Sequence, residues 1–126
     1  MIKKTVIIIK KENYLKLMFN LDSNKFYNAI YDFLSESMTP EAAKKKSEDM
    51  SNNIIIIVDE IYNHIQTNTD ELLLSSRFHT LKSHLLFGDF YYESDLCQDI
   101  EIELRKNKNI SNISFLFEEL LKSLKM

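Results

Sequence analysis

The chain has 126 residues, 44% hydrophobic and 28% charged, with a formal net charge of −3, which describes one domain large enough to bury a core without disulfides or a structural metal. It holds one glycine, Gly88, and one proline, Pro40, and so excludes glycine-rich phosphate cradles, nucleophile elbows and collagen-like backbone, each of which needs glycine's conformational freedom. The single cysteine, Cys97, excludes an intramolecular disulfide and a cysteine-rich zinc site; together with the short apolar run at residues 6–9, which is no leader or membrane span, it gives the expectation of a cytoplasmic protein.

Residues 5–9 are the β-branched run Thr-Val-Ile-Ile-Ile, and Leu15, Leu17, Phe19 and Leu21 alternate with Tyr14, Lys16, Met18 and Asn20. That period of two predicts an N-terminal β-hairpin turning over residues 10–13. From Asp22 or Ser23 the spacing of Phe26, Tyr27, Ile30, Tyr31, Phe33 and Leu34 becomes helical and predicts a helix to about residue 35. Thr39-Pro40-Glu41 combines a capping hydroxyl, a proline suited to the first helical position and an early acid. Met50, Ile54, Ile57, Ile61 and Ile65 then repeat at steps of four and three, extending that helix to about residue 66, although residues 54–58 alone would pass for a buried strand.

Thr69-Asp70-Glu71 starts a third helix, with Leu74, Phe78, Leu81 and Leu85 on one face and Gly88 placed to end it. Residues 99–105 leave two readings open: Ile100, Ile102 and Leu104 alternate with charged residues as in a strand, while Ser94 could cap a helix, and the balance leans to helix. Ile110 before Ser111, with Phe115 beyond, forms a hydrophobic-staple arrangement, and Leu116, Leu120 and Leu124 carry a final helix to the C-terminus. The fold class expected is a mainly α, small helical single domain over residues 1–126; its α+β alternative packs the N-terminal hairpin, with a third strand at 99–105, on the helices.

Arg77 and His84, seven apart, share a helix face with about 10.5 Å of axial rise between them. This pair resembles the R-x(4-6)-H motif of HEPN-type ribonucleases, small helical domains; the resemblance implies His84 as base and Arg77 as phosphate binder, and Phe78 stands where those families often carry a polar residue. A metal centre is not expected: His64, His79 and His84 contain no HExxH pair. Asp95, Asp99 and Glu103 would line one helix face at steps of four, a spacing that could hold Mg²⁺ but is commoner as solvated surface. Cys97, among apolar and acidic neighbours, reads as a buried inert thiol. Lys44-Lys45-Lys46 is the one dense basic run, and it fans around a helix rather than forming a nucleic-acid stripe.

Charge is asymmetric: residues 1–49 carry nine basic and seven acidic groups, residues 50–126 seven and twelve. The acid concentrates in residues 89–104, where six carboxylates stand with three adjacent aromatics and no basic residue. Tyrosines offer contact area at little entropic cost, and carboxylates steer a basic partner. Asp89, Tyr91, Tyr92, Glu93, Asp95, Asp99, Glu101 and Glu103 are therefore the candidate partner-binding residues. Since no catalytic set is assembled, the expectation is a small acidic inhibitor of the immunity-protein, antitoxin or anti-CRISPR type. It would bind a basic, nucleic-acid-processing protein directly, with no cofactor, no direct nucleic-acid contact and no membrane. The alternatives are the HEPN-like ribonuclease and a structural helical module forming a homodimer through an exposed part of the residue 50–65 stripe.

Overall fold

The computed structural model describes residues 16, 21, 23–66, 71–107 and 110–124, and among them it has five α-helices and no strand. Helix α1 spans Ser23–Leu34, α2 Pro40–Gln66, α3 Glu71–Phe87, α4 Tyr91–Ile102 and α5 Ile110–Leu124, and α4 runs on into a π-helical turn, Glu103–Asn107. The N-terminal hairpin expected from the period-two pattern lies outside the described residues. No helix among the described residues is long and apolar enough to cross a membrane.

Local chemistry sets the strongest boundary. Thr39 Oγ1 accepts the Ala42 N–H at 3.2 Å, its carbonyl accepts the Ala43 N–H at 2.9 Å, and Pro40 occupies the first helical position where no N–H is needed. From there α2 runs 27 residues, about 40 Å. Its stripe of Met50, Ile54, Ile57, Ile61 and Ile65 is buried throughout, leaving Ile56 as the most exposed isoleucine of that helix. Each helix packs on the next: α1 on α2, α2 on α3, α3 on α4 most extensively, and α4 on α5. Leu74, Phe78, Leu81 and Leu85 bring α3 into the same core, and Phe78 meets Phe117 of α5 edge to face at 6.0 Å.

Two expectations are corrected, and the open reading of residues 99–105 is decided. Residues 99–105 take the helical reading towards which the sequence leans, and the strand alternative falls: they form the end of α4 and the π turn, because Leu96, Cys97, Ile100 and Leu104 bury a helical stripe while Ile102 is only half-buried. Ser94 is not a cap, since α4 begins three residues earlier behind Phe90 and Ser94 is buried within the helix. Ile110 is already helical, so Ser111 is not the cap, and Phe115 is exposed.

Gly88 stands where the sequence places the end of α3, directly after Phe87. At the end of α3 the Phe90 N–H bonds to the Leu85 carbonyl at 3.0 Å and the Asp89 N–H to that of Leu86 at 3.1 Å, a Schellman closure. Its left-handed residue is Asp89, φ 61°, and not the glycine; aspartate tolerates that region better than most side chains. Gly88 serves by lacking a side chain. A Cβ there would lie 2.6 Å from Phe90 Cε2 and 3.3 Å from Ala29 Cβ, and Phe90 could not then turn under to meet Phe26 edge to face at 5.7 Å.

Candidate functional site

At 100° per residue, Tyr91, Tyr92, Asp95 and Asp99 fall within one sector of α4 about 100° wide. All four are exposed, the two rings at 61% and 58%. The Asp89 closure that ends α3 also places its carboxylate at the edge of this surface, where it accepts the Tyr91 phenol at 2.9 Å. That hydrogen bond, and then the carboxylate's charge, push the Tyr91 phenol up from its ordinary value. Asp89, Tyr91, Tyr92, Asp95 and Asp99 thus form one continuous acidic and aromatic ridge, with Tyr91 restrained at its tip.

The remaining residues of the same acidic run go elsewhere. Glu93 is half-buried and accepts the Ser123 hydroxyl of α5. Glu103 is half-buried in the π turn. Glu101 is buried and faces three basic side chains: His79 Nδ1 at 3.6 Å and Lys82 Nζ at 4.0 Å from α3, and Arg105 Nη1 at 3.6 Å from the π turn. The candidate set therefore divides into five surface residues, two that are half-buried and one inside an intramolecular ion cluster. The cluster escaped the reading of the sequence. Its local trace is the i,i+4 pair Glu101 and Arg105 with the i,i+3 pair His79 and Lys82, but only the packing of α3 on α4 brings the two together.

Phe90 packs inward against Phe26, and Lys25 lies over its ring at 5.7 Å from the centroid. Cys97 is fully buried, and burial followed by the Glu101 charge pushes its thiol up, which disfavours the thiolate a nucleophile or metal ligand needs. Arg77 and His84 share a face of α3, yet each is engaged locally: Arg77 Nη1 donates to Glu60 Oε1 of α2 at 3.3 Å, and His84 Nδ1 lies 3.0 Å from the Thr80 carbonyl. Donation to that carbonyl fixes the neutral ring with Nε2 as its acceptor. Among the described residues no three His, Cys, Asp or Glu side chains converge in a way that could hold a metal ion. Two open depressions of about 350 and 250 Å³ lie in the α1–α2 groove, both lined by Tyr27. No protein-family model matches the chain, and it matches no curated protein and no solved structure, so the reading of its function rests on its own residues.

Proposed function

We propose that the protein is a small acidic inhibitor that acts by binding a basic, nucleic-acid-processing protein through the ridge of α4. The observation that carries this reading is the pair of exposed rings, Tyr91 and Tyr92, set among Asp89, Asp95 and Asp99 with no basic residue between positions 89 and 104. Exposed large aromatics beside like charges fit the anchors and rim of a protein interface better than plain solvated surface. The carboxylates would steer a cationic partner and set its orientation, while the tyrosines would hold it. In this class fall immunity proteins, antitoxins and anti-CRISPR proteins. The test is affinity capture from the native host or from cells carrying the neighbouring genes, followed by binding kinetics with the captured partner. A stoichiometric basic nuclease bound measurably more weakly by Asp95→Asn/Asp99→Asn supports the reading; binding indifferent to the ridge overturns it.

The HEPN-like ribonuclease reading is favoured by one observation, the His84 ring held by the Thr80 carbonyl with Nε2 as its acceptor, as a base requires. Against it stands the engagement of Arg77 by Glu60. Cleavage of single-stranded RNA or tRNA by the wild type that His84→Ala lowers by about 10²- to 10⁴-fold, in a folded protein, would replace the inhibitor reading with this one.

A further inference from the structure

Glu101 is the one carboxylate buried among the described residues, its side chain 8% exposed. No basic atom comes closer to it than 3.6 Å, and its Oε2, shielded from solvent, receives no hydrogen bond among the described residues. A carboxylate taken out of water on such terms costs more than distant attraction returns, and an apolar residue like neighbouring Ile100 or Leu104 would stabilise the position better. What Glu101 does is gather basic side chains. It holds Lys82 and Arg105, whose like charges would otherwise spread them, around one point, with the His79 ring 3.6 Å from the same carboxylate.

Their outward sides remain free to bind. His79 is 64% and Arg105 56% exposed, whereas Lys82, at 20%, sits at the floor with one hydrogen bond to Gln98 Oε1 at 3.1 Å. Arg105 lies in the π turn, a backbone form that occurs mostly as single turns and often at functional sites. Lys82 and Arg105 against Glu101 leave one net positive charge, and the His79 ring adds a further N–H donor. We propose that His79, Lys82 and Arg105, gathered by Glu101, form a binding site for a phosphate group. A tetrahedral phosphate can accept from a guanidinium, an ammonium and an imidazole N–H at once. The Tyr91–Asp99 ridge takes no part, so this site stands or falls independently of the inhibitor reading.

The test is an NMR titration of the full chain with inorganic phosphate at constant ionic strength, following the His79 ring and the Arg105 guanidinium. Saturating shifts at both are expected. Arg105→Gln and His79→Gln, at exposed positions that leave the core intact, should each weaken the affinity by about 10- to 100-fold, the range of one charge-assisted hydrogen bond. A nucleoside monophosphate and a dinucleotide form parallel arms: tighter binding than inorganic phosphate assigns the group to a nucleotide, and equal binding assigns free phosphate. Shifts that stay linear, that chloride reproduces at equal ionic strength, or that survive both substitutions would overturn the site.

Discussion

Along α4 the two sides of one helix treat the same residue type in opposite ways. Asp95 and Asp99 stand in solvent beside Tyr92, whereas Glu93 bonds to Ser123 of α5 and Glu101 lies buried among the basic groups of α3 and the π turn. All four come from a run of sixteen residues without a single basic residue, so composition alone assigns them one role. Helical phase separates them: Glu93 and Glu101 fall with Leu96, Cys97 and Ile100, and Asp95 and Asp99 fall opposite. A charge run on a helix is thus two surfaces, and the inner one engages the rest of the fold.

The largest effect that distinguishes the sides should come from truncating the inner one. Ile100 is fully buried on α4 in the core, so Ile100→Ala should lower the unfolding free energy by about 2–5 kcal/mol, read as a fall in the denaturation midpoint at unchanged slope. A next, smaller effect concerns the corner that sets the phase of α4. Gly88→Ala would press a methyl on the Phe90 ring and on Ala29, and overpacking of this kind costs about 1–3 kcal/mol. Wild-type stability in Gly88→Ala would show that Phe90 can leave Phe26 without consequence, and that the corner does not fix which acids turn inward.

The features legible in the sequence were those fixed by short-range chemistry or a long stripe. Thr39 and Pro40 marked the start of α2 to the residue, and the stripes of α2 and α3 are buried as their spacing requires. Illegible were features that depend on a neighbouring helix. Nothing near Glu101 in the chain signals His79 or Lys82, because the pairing exists only once α3 and α4 pack. Gly88 marks the end of α3 in the sequence, but the reason a glycine is needed there lies in a ring two residues on and a methyl on α1, while Asp89 takes the left-handed conformation. Ser94 misled as a cap because the Asp89 closure lets the helix begin at Tyr91 with no capping side chain.

The inner side also leaves a mark on pH dependence. Burial and the Glu101 charge raise the Cys97 thiol in the folded chain above its ordinary value of 9.0. The folded state therefore keeps this proton where the unfolded state releases it, so the contribution is complete below pH 9 and is lost as pH rises. Stability should decline above that point by up to about 1.4 kcal/mol per pH unit from this one group. Cys97→Ala should flatten that limb relative to the wild type, and the native thiol should resist alkylation until the chain unfolds. A thiol that reacts at the rate of a free one in the native protein would place Cys97 outside the core.

The smallest effect on stability belongs to the outer side, and there the comparison acquires its functional meaning. Asp95 and Asp99 are exposed and four apart, so they repel each other across one turn. Asp95→Asn/Asp99→Asn should leave the denaturation midpoint within about 0.5 kcal/mol of wild type, or raise it slightly. Toward a basic partner the same pair is expected to matter more than it does to the fold. Each rim charge contributes about 0.2–1 kcal/mol, so the double variant should bind about 2- to 30-fold more weakly, through slower association and less so at high salt. Tyr92→Ala, equally harmless to the fold, should instead speed dissociation, because a ring that fills a pocket on the partner acts after encounter. Glu93 and Glu101 are left intact in this experiment because their neutralisation would disturb α5 and the ion cluster. If the double variant loses stability and not affinity, the outer acids belong to the fold as the inner ones do, and the distinction between the two sides of α4 fails.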